Sequence, residues 1–462
     1  MLISILEISQ RLRRREMSPV ELAKDCLAKI EKLNPILNAF ITVTADLALE
    51  QARQAEAEIQ RGQWRGPLHG VPLGLKDLVD TAGTRTTAAS ALFQDRIPSH
   101  DAEIVRRLKN AGAVFLGKQN LHEFAYGGSS MISYYGEVHN PWNPARIAGG
   151  SSGGSASAVA AGLGFAAIGT DTAGSVREPA AQCGVVGIKP TFGRVSTRGV
   201  IPLSSSLDHV GPLARTVADV AVMLQVIAGF DPDDQNSVDA PVPDYLSGLQ
   251  GNPKPARIGV PRRFFFEDLD QEIASAVEAA LDMLQKLGCE IREINLDVPT
   301  DRTLQAAESY AVHRDFVARS PELYQPETLR RIRGGENISE EKIEAARQEL
   351  QKARSAVRSL FSELDFIVTP AVPIPSPAIA ELKQDPDLLR PRELVLLRNT
   401  RPFNVWGLPT ISVPCGFTRA GLPVGLQIAS PPWSEAAVLS LAYAYEQATD
   451  WHTREAALTS EL

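Results

Sequence analysis

The 462-residue sequence has few of the residues that build disulfide, metal or membrane proteins. Its four cysteines, at positions 26, 183, 289 and 415, include no Cys-x-x-Cys pair, which argues against a disulfide framework or a zinc site. No apolar run reaches membrane-spanning length, since the best one, Ala156 to Ile168, is short and contains glycine. The N-terminus is apolar first and basic after, the reverse of a signal peptide. We therefore predict a cytoplasmic protein that needs neither a metal nor another cofactor.

The charge balance argues against one class of binding partner. The net charge is −8, with 55 acidic and 47 basic residues, which argues against a dedicated nucleic-acid binder. One dense basic run, Arg11–Arg15, falls in a predicted N-terminal helix and is explained by a solvated helix face. Hydrophobic residues make up 44% of the chain, enough for a sizeable core. A globular protein that acts on a small molecule is expected, without membrane or direct nucleic-acid binding.

Helix and strand patterns alternate along the chain, as is typical of α/β folds. A helix predicted at Asp101–Asn110 precedes a strand at Ala113–Gly117, and a helix at Ser152–Gly162 precedes a strand at Phe165–Gly169. Other segments are predicted as strands at Leu73–Val79, Gly184–Lys189 and Arg194–Ile201, and as a rigid loop at Asn140–Pro144. We expect one domain over residues 1–462, with a catalytic core at about 62–215 and a charged helical insertion at about 303–364.

The stretch Ala148–Pro179 carries the strongest functional signal. It contains two clusters of glycine and serine, Gly149–Ser155 and Gly169–Ser175, separated by small apolar residues. Glycine permits positive φ and lets a ligand approach the backbone, and serine supplies a hydroxyl that becomes nucleophilic beside a base. This pattern indicates a serine hydrolase site but leaves open which serine attacks.

One interpretation is a nucleophile elbow, because Gly149–Gly153 matches the G-x-S-x-G motif. That motif requires a strand immediately before it, and the prolines at 141 and 144 make a poor strand. It also requires an acid and then a histidine later in the chain. The available histidines are His209, His313 and His452, none in a distinctive turn. The elbow is therefore the weaker interpretation.

A lysine could instead serve as the base. Lys76 lies in an apolar strand pattern among glycine-rich turns, where burial would lower its pKa and leave a neutral amine. A lysine that reaches the surface from a strand end, paired with Asp77, is an equally good interpretation from these residues alone. Lys118 and Lys189 also follow short apolar runs and remain alternatives. A further S-x-x-K match, Ser339–Lys342, lies in a charged helical block and is better explained by a solvated face.

Many segments of the chain together resemble the amidase signature family. The similar segments are Gly66–Asp77, Glu123–Gly127, Asn140–Trp142, Gly149–Ser155, Gly169–Ala181, Gly184–Thr191, Ser206–Pro212, Gly407–Pro414 and Gly421–Gln427. The resemblance covers nearly the whole chain, and its double serine motif is highly specific. It implies a large mixed, twisted β-sheet with helices on both faces. It also implies hydrolysis of a carboxylic acid amide to the acid and ammonia or an amine.

The resemblance implies a triad of two serines and a lysine. Ser175 corresponds to the nucleophile that forms the acyl ester, and Ser151 to a proton-relaying serine preceded by a cis peptide bond. Lys76 corresponds to the base. An inactive scaffold is disfavoured because all three residues are present.

The same resemblance implies the residues that surround the reacting carbonyl. The oxyanion hole is expected from the backbone N–H groups of Thr172, Ala173, Gly174 and Ser175. Tyr126 and Gly127 are expected to line the substrate pocket. Two departures from the family pattern stand out: Ala173 replaces a more frequent glycine, and Glu178 stands where glutamine or an uncharged residue is usual. Arg177 is expected to orient the loop, with Asp171 as a partner.

The family includes stand-alone amidases and the A subunit of tRNA-dependent amidotransferases. That subunit hydrolyses glutamine and passes ammonia to partner subunits, and it carries a tyrosine-rich motif in its middle region. Here the corresponding residues, Ala306–Asp315, and the segment Glu123–Gly127 look more like stand-alone amidases. We therefore expect a stand-alone amidase. The alternative is the glutaminase subunit, which works with partner subunits. A homodimer remains open.

Overall fold

A computed structural model describes residues 3–250, 256–456 and 458 of the chain. Most of its strands belong to one mixed sheet, whose hydrogen-bonded order is β1-β3-β2-β6-β8-β7-β12-β13-β11-β9-β10. The strands are β1 Phe40–Val43, β2 Pro72–Lys76, β3 Val114–Gln119, β4 His139–Asn140, β5 Asn143–Ile147, β6 Ala166–Asp171, β7 Val186–Lys189, β8 His209–Ala214, β9 Arg257–Val260, β10 Glu290–Glu293, β11 Phe366–Pro370, β12 Thr410–Phe417 and β13 Pro423–Ala429. Strands β4 and β5 form a separate two-stranded ribbon.

Helices connect the strands and cover the sheet. They are α1 Ile5–Arg13, α2 Pro19–Leu37, α3 Ala45–Gln60, α4 Glu103–Asn110, α5 Gly153–Ala160, α6 Arg177–Cys183, α7 Val217–Ile227, α8 Arg262–Phe265, α9 Gln271–Lys286, α10 Thr303–Arg319, α11 Pro326–Arg333, α12 Glu340–Leu360, α13 Ile379–Gln384, α14 Leu389–Leu396, α15 Arg401–Val405 and α16 Glu435–Gln447. In the part of the chain that the structure describes, no helix is both long and apolar enough to cross a membrane.

The direction of three neighbouring strands decides where the site forms. Strand β2 is parallel to both β3 and β6, and Leu75 pairs with Ile168. Because parallel strands end at the same edge of a sheet, the carboxyl ends of β2 and β6 meet there. Lys76 is the last residue of β2, and Thr170 lies one residue before the end of β6. The register therefore brings two distant segments of sequence side by side.

The central strands are buried on both faces. Along β6, Ala166 and Ile168 pack in the largest apolar cluster, which includes residues of α7, α9 and α16. The intervening Ala167 packs in a second cluster, with residues of α5 and α6. Since successive side chains of a strand point to opposite faces, helices cover both faces of this sheet. The α/β prediction with a large mixed sheet is confirmed.

The predicted local elements agree with the structure in most places but not in all. Helices α4 and α5 and strands β3 and β6 lie where the alternating pattern predicts them. The predicted strand Arg194–Ile201 is wrong, because Val195 and Val200 form only isolated bridges. The predicted loop Asn140–Pro144 instead contributes to the β4–β5 ribbon. The domain boundaries stay a prediction.

Candidate active site

Lys76 lies at the end of β2 with its side chain fully buried. Its Nζ is 2.8 Å from the hydroxyl oxygens of Ser151, Ser152 and Thr170. Burial holds the pKa of Lys76 well below its ordinary value, and the nearby carboxylates of Asp171 and Asp208 only partly oppose this effect. Burial therefore favours the neutral amine, which is the form that can accept a proton.

The three hydroxyl contacts constrain how the protons are arranged. A neutral amine has two N–H donors and one lone pair, so one of the three hydroxyls has to donate to Lys76. The hydroxyl of Ser152 donates to the carbonyl of Thr170, at 3.1 Å, so its proton is already committed. The lone pair is thus left to the hydroxyl of Ser151 or Thr170. Donation from Ser151 is the arrangement that a proton relay requires.

The backbone around Ser151 is held by neighbouring loops and by α6. The Gly150–Ser151 peptide bond is cis, as the resemblance implies. The N–H of Gly150 donates to Glu178 Oε2 at 2.7 Å. The carbonyl of Ser151 accepts from the N–H of His122 at 3.1 Å and from the hydroxyl of Ser130 at 3.3 Å. The N–H of Gly150 and the carbonyl of Ser151, on either side of the cis bond, therefore both have fixed partners.

The turn that carries Ser175 is organised by Asp171. One carboxylate oxygen accepts from the N–H of Gly174 at 2.8 Å, and the other from the N–H of Val176 at 3.1 Å. Arg177 and Asp171 form a buried ion pair at 2.9 Å, and Asn404 donates to the same carboxylate at 2.7 Å. Burial alone would raise the pKa of Asp171, but the Arg177 guanidinium lowers it, so this carboxylate stays ionised. The expected pairing of Arg177 with Asp171 is present.

The expected oxyanion donors divide into two groups. The N–H of Gly174 donates to Asp171 at 2.8 Å, and its role as an oxyanion donor stays a prediction. The N–H groups of Thr172, Ala173 and Ser175 have no hydrogen-bond acceptor among the described residues. Since buried N–H groups rarely lack a partner, these three are the donors that remain available to a substrate oxygen.

The side chain of Thr172 is anchored by Asp208. Its hydroxyl donates to Asp208 at 2.5 Å. The second oxygen of Asp208 accepts from the N–H groups of Leu203 and Ser204, at 2.8 and 3.0 Å. Burial raises the pKa of Asp208 to about 6. Asp208 thus fixes Thr172 in the turn that carries Ser175.

The two serine turns touch through their main chains. The N–H of Ser152 donates to the carbonyl of Ser175 at 3.2 Å. The hydroxyl of Ser175 makes no hydrogen bond with any described residue, so the Ser151–Ser175 contact of a relay is not formed. Catalytic hydrogen bonds are often long or unformed in enzymes until substrate binds. Lys76 is therefore hydrogen-bonded to Ser151 directly, whereas Ser175 is linked to this region by the hydrogen bond between its carbonyl and the N–H of Ser152.

A narrow cavity of about 10 Å³ opens at Ser175. Tyr126 and Gly127 line it, as the resemblance implies, together with Arg302 and Arg390. The larger cavities of the described residues do not include the Ser175 side chain. Ser175 therefore borders a narrow cavity with room for about one water molecule.

The competing lysines serve other contacts. Lys118 is buried and bonded to the carbonyl of Val79 and the hydroxyl of Thr86. Lys189 is buried and donates to the carbonyl of Leu408 at 2.6 Å. Neither is hydrogen-bonded to a serine of the two clusters among the described residues. Both lysines stabilise loops and not the site.

The elbow alternative has no support in the geometry. Strand β5 does precede the first cluster, but it belongs to the ribbon and not to the main sheet. Among the described residues, His209, His313 and His452 make no hydrogen bond with Ser151 or Ser175. In the S-x-x-K match, the Ser339 hydroxyl caps α12 by accepting from the N–H of Lys342. It acts as a helix cap.

Several residues of the site escape prediction from sequence. Ser152 follows Ser151 directly, so its position beside the lysine could have been suspected. Thr170 reaches Lys76 only through the pairing of β2 with β6. Arg302 and Arg390 come from segments far from either serine cluster, and no local pattern marks them.

Comparison with known proteins establishes the family. The family model described as Amidase matches residues 21–439, so the chain belongs to the amidase family. The A subunit of the glutamyl-tRNA(Gln) amidotransferase of Geotalea daltonii is 42% identical over 485 aligned residues, which cover 99% of each protein. Further relatives, at 38 to 43% identity, carry the same name.

Solved structures of two amide hydrolases share the fold. The structure of 6-aminohexanoate cyclic dimer hydrolase superposes with a TM-score of 0.90 at 30% identity, covering 99% of each chain. The peptide amidase of Stenotrophomonas maltophilia superposes with a TM-score of 0.83 at 32% identity, covering 96% of each chain. The mixed sheet and its helices are thus those of amidases.

Proposed function

We propose that this protein hydrolyses a carboxylic acid amide through an acyl ester on Ser175. The observation that supports this most is the fully buried Lys76, whose Nζ lies 2.8 Å from the hydroxyl oxygen of Ser151. A buried amine within hydrogen-bond distance of a serine hydroxyl can accept its proton without competition from water. The free N–H groups beside Ser175 supply the second requirement, a site for the carbonyl oxygen.

The proposed reaction begins with two proton transfers. Lys76 Nζ takes the proton of Ser151, and Ser151 takes that of Ser175, whose Oγ attacks the amide carbon. The carbonyl oxygen becomes negative and accepts hydrogen bonds from the N–H groups of Thr172, Ala173 and Ser175, each critical donor lowering the barrier by about 3 kcal/mol. The tetrahedral intermediate collapses as Ser151 returns a proton to the leaving nitrogen. Water then cleaves the ester by the same relay and releases the acid.

Ser175→Ala tests the proposal. We expect loss of amide turnover and of labelling by a fluorophosphonate, because such reagents react only with an activated serine. The far-ultraviolet circular dichroism and the melting temperature should remain those of the native protein. Ser339→Ala, which removes only an exposed helix cap, should keep full labelling. Retained turnover in Ser175→Ala would overturn the assignment.

Which amide the protein hydrolyses is a finer question. The curated relatives support a glutaminase subunit that supplies ammonia to partner subunits, above the stand-alone amidase favoured by the motifs. The argument for a stand-alone enzyme is that the segment Ala306–Asp315 looks more like stand-alone amidases. Both use the same Ser175 chemistry.

A substrate panel separates these two functions. The purified chain should be offered glutamine, aliphatic amides and aryl amides, with and without partner subunits of an amidotransferase. Glutamine turnover that rises strongly on addition of the subunits would support the glutaminase that the relatives suggest. Turnover of other amides by the chain alone would support the stand-alone amidase.

A further inference from the structure

The peptide group between Ala173 and Gly174 lies between two of the expected oxyanion donors. The N–H groups of Ala173 and Ser175 flank it, and neither has an acceptor among the described residues. Such donors stabilise a negative oxygen best when their directions are fixed before the charge develops. The contacts that fix this peptide group therefore bear directly on the chemistry proposed for Ser175.

Gly174 gives the backbone freedom to rotate at this point. Its φ is +129°, which residues with a side chain rarely adopt. A Cβ atom at this position would collide with the hydroxyl of Thr400, so only glycine fits beneath that side chain. Because glycine adopts positive and negative φ with similar ease, the backbone alone does not fix the orientation of the Ala173–Gly174 peptide group.

Two side chains hold this peptide group, one at each end. The hydroxyl of Thr400 donates to the carbonyl of Ala173 at 2.8 Å, and Asp171 accepts from the N–H of Gly174, also at 2.8 Å. In the part of the chain that the structure describes, Thr400 is the only donor to that carbonyl. Since a peptide group is planar, a partner at each end fixes its orientation.

Thr400 is itself held in place by the buried ion pair of the nucleophile turn. It is fully buried, immediately precedes α15, and accepts at its own carbonyl from Arg177 at 2.9 Å. Arg177 also pairs with Asp171, so the groups that hold the two ends of the peptide belong to one buried network. The Thr400 hydroxyl lies 3.3 Å from the carbonyl of Leu397, a longer contact than the one to Ala173.

We propose that Thr400 is a positioning residue, whose hydroxyl prevents rotation of the Ala173–Gly174 peptide group and so keeps the oxyanion donors aligned. This inference rests on the proposed function. Thr400 is not among the described residues that line the cavity at Ser175, so it acts through the backbone. Without its hydroxyl, the buried carbonyl of Ala173 has no partner and the peptide group can rotate toward another donor. The N–H groups on either side then turn as well, and the site loses its pre-organisation.

The test compares Thr400→Val with Thr400→Ser, because valine keeps the shape of threonine and serine keeps its hydroxyl. Thr400→Val should lower the second-order rate constant of fluorophosphonate labelling roughly 10- to 100-fold, less than the loss of a whole oxyanion donor. On the amide of the substrate panel that the native protein hydrolyses fastest, kcat should fall by a similar factor with KM nearly unchanged. Thr400→Ser should retain most of the native rate in both measurements.

Two further measurements separate positioning from a general loss of stability. Thr400 does not replace the base, so kcat/KM should fall at the same pH in Thr400→Val as in the native protein. The matched control is Thr410→Val, at a buried threonine of β12 whose hydroxyl donates to the carbonyl of Leu408 at 3.0 Å. Its melting temperature should fall as that of Thr400→Val does, but its labelling should stay at the native rate.

Labelling of Thr400→Val at the native rate would overturn the proposal, as would an equal loss in Thr400→Ser. Thr400→Ala should behave like Thr400→Val and provides the same test if the valine variant does not fold. A native protein that does not label, or a Ser175→Ala variant that does, would refute the hydrolase assignment. Undiminished labelling of both hydroxyl-free variants, with Ser175 still required, would refute only the role of Thr400.

Discussion

A single residue, Lys76, should make the rate depend on pH if it acts as the base. Burial holds its pKa well below the ordinary value, so the amine loses its proton at a lower pH than an exposed lysine does. Since only the neutral amine accepts the serine proton, kcat/KM should fall as pH falls through the pKa of Lys76, about tenfold per pH unit.

The measurement is a pH–rate profile on a neutral amide. Lys76→Met should remove activity at every pH. Lys342→Met, at an exposed lysine of α12, should leave the profile unchanged. A rate that rises in acid would be inconsistent with a lysine base.

Two adjacent serines should differ in their importance. Ser151 and Ser152 are both 2.8 Å from Lys76, but the Ser152 proton is given to the carbonyl of Thr170. We expect Ser151→Ala to lower kcat by about a thousandfold, within the range of general acid–base catalysis. Ser152→Ala should cost about tenfold, because it removes one hydrogen bond that positions the amine. Single-turnover kinetics of the two variants measure the difference, and equal losses would refute the relay role of Ser151.

At the scale of elements, helix α6 holds both serine turns. Its first residues supply Arg177 to Asp171 and Glu178 to the N–H of Gly150. Arg177→Met should lower the free energy of unfolding by about 3–5 kcal/mol, because it leaves a buried carboxylate unpaired. Arg292→Met, which breaks an exposed pair with Glu290, should leave the free energy of unfolding nearly unchanged. Urea unfolding of both variants tests this contrast.

Glu178 in the same helix gives a pH dependence of stability. Burial raises its pKa well above the ordinary value, so the neutral carboxyl persists to a higher pH in the folded protein than in the unfolded chain. The stabilisation is complete below the ordinary glutamate pKa and is lost as pH rises through the raised pKa. Glu178→Gln keeps an acceptor for Gly150 but cannot ionise, so its melting temperature should decline less on the alkaline side.

Melting curves across pH for the native protein and Glu178→Gln measure this effect. Glu341→Gln, at an exposed residue of α12, should follow the native protein. Identical alkaline declines in all three would show that Glu178 does not titrate. The uncharged residue usual in the family at this position agrees with a neutral side chain.

Local patterns predicted those elements whose own sequence carries the signal. Helix α5 and strand β6 follow from small apolar residues between two glycine clusters, and both lie close to their predicted bounds. The strand predicted at Arg194–Ile201 failed because pairing, and not propensity, decides whether an extended segment joins a sheet. Strand β8, His209–Ala214, went unrecognised although it pairs with both β6 and β7. Contacts such as Thr170 with Lys76 depend on strand order and could not be predicted.

At the scale of the whole molecule, the C-terminal segment completes the site. Strand β12 pairs with β7, and β13 with β11, so they join the two halves of the sheet. Arg177 donates to Gln427 at 2.7 Å and to Asn404 at 2.6 Å. The buried ion pair of the nucleophile turn therefore depends on residues far along the chain.

A chain ending at residue 398 should therefore fail to label with fluorophosphonate. It lacks β12 and β13, whose loss exposes the core of the sheet. It also lacks three acceptors of Arg177, which are the Thr400 carbonyl and the side chains of Asn404 and Gln427. Co-expression of 399–462 as a separate chain should restore part of the labelling if it rebuilds the sheet. Normal labelling of the shortened chain alone would contradict this dependence.

The burial of Lys76 separates chemical reactivity from accessibility. A deprotonated amine is the form that attacks aldehydes and activated esters, so this lysine would be readily modified if reagents could reach it. Its side chain has no exposed surface, and three hydroxyls surround the nitrogen at 2.8 Å. Exhaustive reductive methylation should therefore modify the surface lysines and spare this one. The enzyme should remain active after reductive methylation, a treatment that ordinarily inactivates an enzyme with an accessible catalytic lysine.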